Sequence, residues 1–375
     1  MYVLIVLGII CFLYFYLNDE LYKKWGIVLS LVSIFTIFAF RDYIGVDDKV
    51  YMFYYNLIKF GKVDYYFSIS ATEYSFYLIS KIISFLGFNY KVMFSFYSSL
   101  SFIFLHQIIT KCFNFNKKES FIFLLSFLAF SILPYITIMR QFLAATIGIY
   151  ACFLFVNREI KKSFLYLLLA IFFHYSAILF VLIPLLYKIK PFSYKITYFI
   201  LSITAIVLSK TGLFLNFLKF ILQNSRYYGY IENFRNLHSS SGIVVMFMFI
   251  CFLIAILLIN FKKNLNNKLK LTLIFQLCFF CLYFLTSNLG VIARVYDYFI
   301  IFEFMPLILM YRYIREEKFK LITSRIKFLN LKNIKSYTFN CIIIMLLVLI
   351  SYNFIYKNFD DYSLLNYSLN FWSIK

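Results

Sequence analysis

Apolar runs about as long as a membrane-spanning helix alternate along this chain with short polar clusters. A run of roughly 20 apolar residues crosses a bilayer as an α-helix, which satisfies its backbone hydrogen bonds within the segment. The pattern therefore predicts an all-α polytopic integral membrane protein with roughly 10–12 helical segments. The predicted spans are 2–17, 25–40, 91–110, 120–138, 141–157, 195–210, 242–261, 269–286, 291–311 and 338–356.

Two apolar segments are too short or too polar to be ordinary spans. Segment 72–90 carries Lys81 in its middle, and segment 211–223 is shorter than a span. We expect both to form amphipathic or re-entrant helices at the outer face of the membrane.

The composition excludes a soluble protein. Hydrophobic residues make up 63% of the 375 residues and charged residues 14%, whereas a soluble domain is about half apolar and about a quarter charged. A single integral membrane domain over 1–375 is therefore the expected organisation. We expect the first apolar run, 2–17, to be retained as a span, because no basic segment precedes it and no cleavage motif follows it.

The net charge of +21 comes largely from basic clusters between apolar runs. This distribution is typical of cytoplasmic loops and does not indicate nucleic-acid binding. It predicts a cytoplasmic loop at 312–337, outer loops at 41–90 and 211–241, and both termini outside.

The same topology leaves two interpretations of segment 163–186. Its ends fall on the cytoplasmic side, yet about 24 residues at 1.5 Å each cannot cross twice as full helices. Either two short half-helices meet at "HYS" (174–176), or the segment is one ordinary span with a basic loop on the wrong side.

The seven cysteines do not form a pattern that predicts disulfides or a metal site. Cys278 and Cys281 are spaced C-x-x-C, but no histidine or second cysteine pair lies nearby in the sequence. We interpret both as packing residues of a membrane helix and expect no metal.

Arginines on the predicted outer side need a separate explanation, because basic residues otherwise mark the cytoplasmic side. Planar guanidinium groups bind phosphate oxygens with paired hydrogen bonds, so several together suit a diphosphate. The alternative is that each extends to the lipid headgroups or pairs with a local carboxylate. The four arginines are Arg41, Arg140, Arg226 and Arg294.

His174 and the outer tyrosines are further candidates for chemistry. An ionisable group within a membrane segment usually faces a cavity or a partner, and a neutral imidazole can act as a general base or a hydrogen-bond donor. Tyr51 and Tyr227 lie in aromatic outer segments suited to stacking on sugars.

Five segments together resemble the EpsG family, the Wzy-type polymerases of bacterial surface polysaccharides. The family often has Tyr or Asp-Tyr where this chain has Asp48, so the role of that neighbour of Asp47 is open. The segments, in chain order, are "RDYIGVDDKVY" (41–51), "EYSFYLISKIISFLGFNY" (73–90), "RQFLAATI" (140–147), "FHYSAILFVLIPLLYK" (173–188) and "RVYDYF" (294–299).

The resemblance implies a glycosyltransferase at the outer face of the bacterial inner (cytoplasmic) membrane. It would join oligosaccharide repeat units carried on undecaprenyl diphosphate, without a nucleotide sugar, cofactor or metal. Its partners would be the lipid-linked substrates, the bilayer, a flippase and a chain-length regulator protein. The four arginines would hold the diphosphates, and the general base would be Asp47, Glu73 or His174.

Two other functions remain open from the sequence. One is a transporter or flippase of polysaccharide or lipid-linked oligosaccharide, which would favour charges lined through the membrane. The other is an O-antigen ligase-type transferase, which would use a different acceptor.

Overall fold

The computed structural model describes residues 32, 47–69, 74–113, 117–127, 138–189, 194–223, 242–259, 266–287 and 290–316. Helices make up the regular structure of these residues, which contain no β-strand, so the predicted all-α class is confirmed. The α-helices are α1 (Asp48–Lys59), α2 (Val63–Ile69), α3 (Tyr74–Phe85), α4 (Tyr90–Gln107), α5 (Lys117–Ser126), α6 (Met139–Val156), α7 (Ile160–Phe173), α8 (Leu182–Lys188), α9 (Tyr194–Lys210), α10 (Leu213–Leu222), α11 (Gly242–Leu258), α12 (Asn267–Thr286) and α13 (Met305–Glu316).

Within the described residues, three helices are long and apolar enough to cross a membrane. They are α6, α12, and α4 together with the π-helix Ile108–Phe113 that continues it. The predicted spans 91–110, 141–157 and 269–286 are thereby confirmed as helices of sufficient length and hydropathy to cross a membrane. Helices α9 and α10 pass the same test as a pair bent by 77°, so the predicted span 195–210 and the predicted short helix 211–223 are two arms of one bent element.

Several predicted spans fall wholly or largely outside the described residues. These are 2–17, 338–356 and all of 25–40 except Val32. Span 120–138 is described only to residue 127, where α5 covers its first part.

The chain divides into two compact units, one of residues up to Pro184 and one starting at Leu185. The remainder of the first unit, Asn358–Lys375, lies outside the described residues. The predicted single domain stays a prediction.

The first unit contains a helical hairpin whose two arms lie along α6. Ser163 near the start of α7 donates a hydrogen bond from Oγ to the Ala151 carbonyl at 2.8 Å. Cys152, the next residue of α6, has its Sγ 3.8 Å from the carbonyl oxygen of Phe180. Positions 163 and 180 therefore flank the same turn of α6, and the chain has gone out along α7 and returned along a 3₁₀-helix, Tyr175–Val181. His174 stands at the reversal in an extended conformation, as in the half-helix interpretation.

Segment 47–90 contains more helix than its sequence pattern indicated. A single helix was predicted at 72–90, whereas the structure has α1, α2 and α3, and the turn between α1 and α2 contains Gly61 with φ 75°. Asp48 in the first turn of α1 complements the positive end of that helix. These helices consist of short apolar and aromatic stretches broken by lysines, so they lack the long apolar run from which a span is predicted.

In the second unit, the predicted helix 291–311 is two elements. Gly290–Phe302 is a 3₁₀-helix, and α13 begins at Met305. Pro306 explains the break, because proline lacks the N–H that a continuous α-helix would bond to Phe302 and is tolerated in a first turn.

Candidate active site at the start of helix α6

Arg140 occupies the second position of α6, a helix that is buried along nearly its whole length. The amino end of a helix carries a partial positive charge, so a cation in the first turn is electrostatically unfavourable by itself. The side chain of Arg140 is partly exposed. The guanidinium and the helix end together make this a position that favours an anion.

Two aromatic rings from α1 and α3 lie under the guanidinium. The Cζ atom of Arg140 is 5.0 Å from the ring centroid of Tyr51 and 5.1 Å from that of Phe76. The two rings are themselves 5.8 Å apart and tilted by 34°. A cation within about 6 Å of a ring face is attracted by the ring quadrupole, so the pair fixes Arg140 from one side.

Helix α1 brings the first motif to this cluster. Asp47 precedes α1, and its carbonyl accepts a hydrogen bond from the Tyr51 amide at 2.9 Å. The predicted base Asp47 therefore lies one helical turn from a ring that contacts Arg140. Asp48 is buried, with 1% of its surface exposed.

Helix α3 connects the cluster to the reversal at His174. Ser75, the neighbour of Phe76, donates from Oγ to the Phe173 carbonyl at 3.4 Å. Phe173 also packs edge-on against Tyr97 of α4 at 6.0 Å. His174 follows directly, and its Nδ1 is 2.9 Å from the Ser176 hydroxyl oxygen. Ser176 thereby helps to set the orientation of the imidazole.

The structure therefore places four of the predicted site residues, Asp47, Tyr51, Arg140 and His174, on elements that meet in the first unit. Tyr51 contacts protein on its ring, since only 5% of its surface is exposed, and its role in sugar stacking stays a prediction. Four other predicted residues of this region and of the second outer loop lie outside the described residues. They are Arg41, Glu73, Arg226 and Tyr227.

Arg294 belongs to the second unit and lies in the 3₁₀-helix. Three residues per turn align every third side chain, so Arg294 and Asp297 share one face. The Glu303 amide donates to the Ile300 carbonyl at 3.0 Å, which extends the same period to Glu303. In an α-helix Glu303 would point away from Arg294. The 3₁₀ conformation thus places Arg294, Asp297 and Glu303 on one face.

A different face of this 3₁₀-helix packs on α12. Phe302 stacks on Phe275 at 4.5 Å, and Tyr296 meets Phe279 edge-on at 6.0 Å. Gln276, between the two α12 aromatics in sequence, is fully buried, and neither polar atom of its side chain has a hydrogen-bond partner in the described part of the chain. A buried amide without a partner is unusual enough to require an explanation.

The residues that sequence reasoning missed are Phe76, Ser75, Ser176 and the buried Asp48. Ser176 had a usable signal, because it follows His174 by two residues in "FHYSA". Phe76 had none, since it is one of 51 phenylalanines.

The described residues contain no group of three or more His, Cys, Asp or Glu side chains placed to hold a metal ion. Cys278 and Cys281 are both free thiols, and Cys281 Sγ lies 3.8 Å from the Leu201 carbonyl of α9. The predicted absence of a metal stays a prediction.

Comparison with curated proteins and comparison with solved structures each gave no match. Comparison with family models gave a match to the EpsG family over residues 24–369, nearly the whole chain. That range includes all five segments on which the resemblance was based. The chain is a member of the EpsG family, whose membrane proteins are of the polysaccharide-polymerase type.

Proposed function

We propose that this protein is a glycosyltransferase that polymerises undecaprenyl-diphosphate-linked oligosaccharide repeat units into a bacterial surface polysaccharide. The observation that carries the proposal is the position of Arg140 at the start of α6, over the rings of Tyr51 and Phe76. Two further segments typical of the family provide these rings, and a fourth contacts α3 at Ser75 and α6 at Cys152. An arginine held at the amino end of a helix suits the diphosphate of a lipid-linked sugar.

The reaction proposed for this site is a displacement at the sugar carbon that bears the diphosphate. A hydroxyl at the non-reducing end of the acceptor unit forms a bond to that carbon, and the carbon–oxygen bond to the diphosphate breaks. The lipid diphosphate leaves with the electron pair, and a base takes the hydroxyl proton. Arg140 stabilises the charge that develops on the leaving group, and Arg294, Arg41 and Arg226 are proposed to hold donor or acceptor diphosphates.

The proposed base is Asp47, Glu73 or His174. Asp47 lies one turn from Tyr51, and His174 follows the carbonyl that Ser75 binds, so both elements reach the Arg140 region. Replacing each with its uncharged isostere, Asp47→Asn, Glu73→Gln and His174→Gln, distinguishes them. The base is the residue whose loss lowers the maximal rate and removes the acidic limb of the pH–rate profile, because a general base acts only when it is deprotonated.

We further propose that the site faces outward from the bacterial cytoplasmic membrane, with both termini outside. The basic clusters support this orientation, because they would then lie in the cytoplasm. A flippase would supply the lipid-linked units, and a chain-length regulator protein would act on the product.

An assay with purified protein and lipid-linked repeat units in vesicles tests the function. A polymerase produces a ladder of longer lipid-linked chains. Movement of unchanged units across the bilayer would instead indicate a transporter, and transfer to a non-repeat acceptor would indicate a ligase-type transferase. Either of these results without a ladder would contradict the proposal.

A further inference from the structure

Helix α3 has a buried face that belongs to the site already described. Its buried residues include Ser75, Phe76, Ser80 and Ile83. Ser80 donates from Oγ to the sulfur of Met93 in α4 at 3.2 Å. This face is thus packed against protein along its length.

The opposite face of α3 is also apolar, and much of its area is exposed among the described residues. Tyr74, Leu78, Ile82 and Phe85 have 58%, 45%, 58% and 89% of their surfaces exposed. At 100° per residue these four positions fall within an arc of about 80°. A helix that is apolar on both faces does not suit a boundary with water.

Lys81 is the cation on this exposed face, and its side chain is folded along the helix. Its Nζ donates to the hydroxyl of Tyr77 at 3.1 Å and lies 5.4 Å from the centroid of the same ring. Lysine in this arrangement covers apolar surface with its stem while the ammonium reaches a polar boundary.

The turn that follows α3 continues the apolar surface and has its amides satisfied. Leu86 and Phe88 are exposed, and the amides of residues 86, 87 and 88 donate to the carbonyls of Ile82, Ser84 and Ile83. Gly87 makes this possible by adopting φ 79°.

Tyr55 of α1 fixes the end of the turn. Its hydroxyl donates to the Phe88 carbonyl at 2.6 Å. Burial raises the pKa of the Tyr55 phenol, so it remains a protonated donor. A turn with its amides bonded internally can enter an apolar phase without exposing them.

We propose that α3 and the turn 85–88 are embedded in the bilayer and form the wall between lipid and the Arg140 site. The exposed stripe contacts acyl chains, and Phe76 on the opposite face contacts Arg140. Continuity with α4 supports a lipid partner, because that membrane-crossing helix begins at Tyr90, two residues after the turn. The proposal does not depend on which reaction the site performs.

Tryptophan fluorescence of the purified full chain in vesicles tests this placement. The two native tryptophans, Trp25 and Trp372, are first replaced by phenylalanine. One tryptophan is then introduced as Leu78→Trp, as Ile82→Trp, or as the control Asn157→Trp in the exposed polar turn after α6. Phosphatidylcholine brominated on its acyl chains should reduce the fluorescence of the two α3 variants by about twofold more than that of the control.

Aqueous acrylamide should give the reverse order of quenching. If acrylamide quenches Leu78→Trp and Ile82→Trp as strongly as Asn157→Trp, water covers α3 and the proposal is wrong. If neither quencher reaches the α3 variants, a protein surface covers the stripe, which also overturns it. Agreement of the two α3 variants guards against a local disturbance at one position.

Discussion

Arg140 shows at the scale of one residue how an unfavourable placement can serve a site. The amino end of α6 repels its guanidinium, whereas the rings of Tyr51 and Phe76 attract it at about equal distances. The rings hold the cation without neutralising it, since they carry no net charge. These two rings therefore position the guanidinium without adding a negative charge that would compete with a diphosphate.

Truncating the two rings is expected to weaken the site without removing Arg140. A cation–π contact contributes about 0.5–2 kcal/mol, so Tyr51→Leu and Phe76→Leu should each lower polymer formation by about 2- to 30-fold. Tyr51→Phe keeps the ring and is the matched control. Initial rates of chain extension at saturating lipid-linked substrate measure the effect.

Thermal stability is the control for folding. A lower rate in a Tyr51→Leu or Phe76→Leu protein with wild-type thermal stability is an effect on the site. Equal loss of activity in Tyr51→Phe and Tyr51→Leu would show that the hydroxyl matters and the ring does not. Wild-type rates in Phe76→Leu would contradict the positioning of Arg140 by that ring.

Gln276 is expected to destabilise the fold of the second unit. A buried amide without a partner costs about 1–3 kcal/mol, and methionine has a similar shape and no strong polar group. Gln276→Met should therefore raise the free energy of unfolding by about 1–3 kcal/mol, measured by denaturation in detergent. Gln276→Glu, which adds a charge at the same position, should lower it. A less stable Gln276→Met protein would show that the amide has a partner.

At this scale, the sequence allowed the charged candidate residues to be identified, but it did not predict the aromatic contacts. Arg140 and His174 are conspicuous because charge in an apolar segment is costly. Phe76 is not, because it is one of 51 phenylalanines, and Tyr51 was predicted to stack on a sugar and not to contact Arg140. Which ring meets which cation is decided by how α1, α3 and α6 pack.

At the scale of elements, the reversal brings His174, which lies between two apolar segments, next to the Phe173 carbonyl that Ser75 of α3 binds. The hydrophobic pattern left open whether this segment is two half-helices or one ordinary span, and the polar "HYS" marked where the break would lie in the half-helix interpretation. The hydrophobic pattern did not predict that the returning arm would begin as a 3₁₀-helix, because apolar residues are compatible with either an α-helix or a 3₁₀-helix. Pro184 in the first turn of α8 is consistent with the later change to α-helix.

Close packing of the returning arm depends on Gly148. A methyl group added at this position of α6 would overlap the ring of Phe180, which is fully buried. Overpacking costs about 1–3 kcal/mol, against a gain in helix propensity of up to about 1 kcal/mol. Gly148→Ala should therefore lower the thermal midpoint in detergent, and adding Phe180→Leu should restore part of it.

A neighbouring alanine provides the matched control for this contact. Ala145→Gly on the same helix removes a methyl group and should destabilise through propensity and lost packing, with no recovery from Phe180→Leu. If Gly148→Ala is as stable as the wild type, α6 and the returning arm are not in direct contact at this position.

For the whole molecule, the distribution of charge predicts the sidedness, and the composition predicts a membrane protein. The basic clusters predicted which ends face the cytoplasm. The division into two compact units was not predicted, because the sequence is apolar on both sides of the boundary at Pro184 and Leu185 and contains no polar linker there. The pairing of helices within each unit arises from packing that no local pattern encodes.

Two exposed turns test the orientation directly. Lys62 lies between α1 and α2, and Asn157 follows α6. In a protein whose seven cysteines are replaced, Lys62→Cys should react with an impermeant maleimide on intact cells. Asn157→Cys should react only after permeabilisation. The opposite pattern would place the Arg140 site on the cytoplasmic side.

The central claim is that Arg140 holds the diphosphate of a lipid-linked repeat unit during polymerisation. Its most direct test is the ladder of products from purified Arg140→Ala protein with lipid-linked repeat units. We expect single units to remain unextended, partial extension with Arg140→Lys, and wild-type ladders with the control Arg158→Ala, an exposed arginine at the other end of α6. A wild-type ladder from folded Arg140→Ala protein would contradict the account.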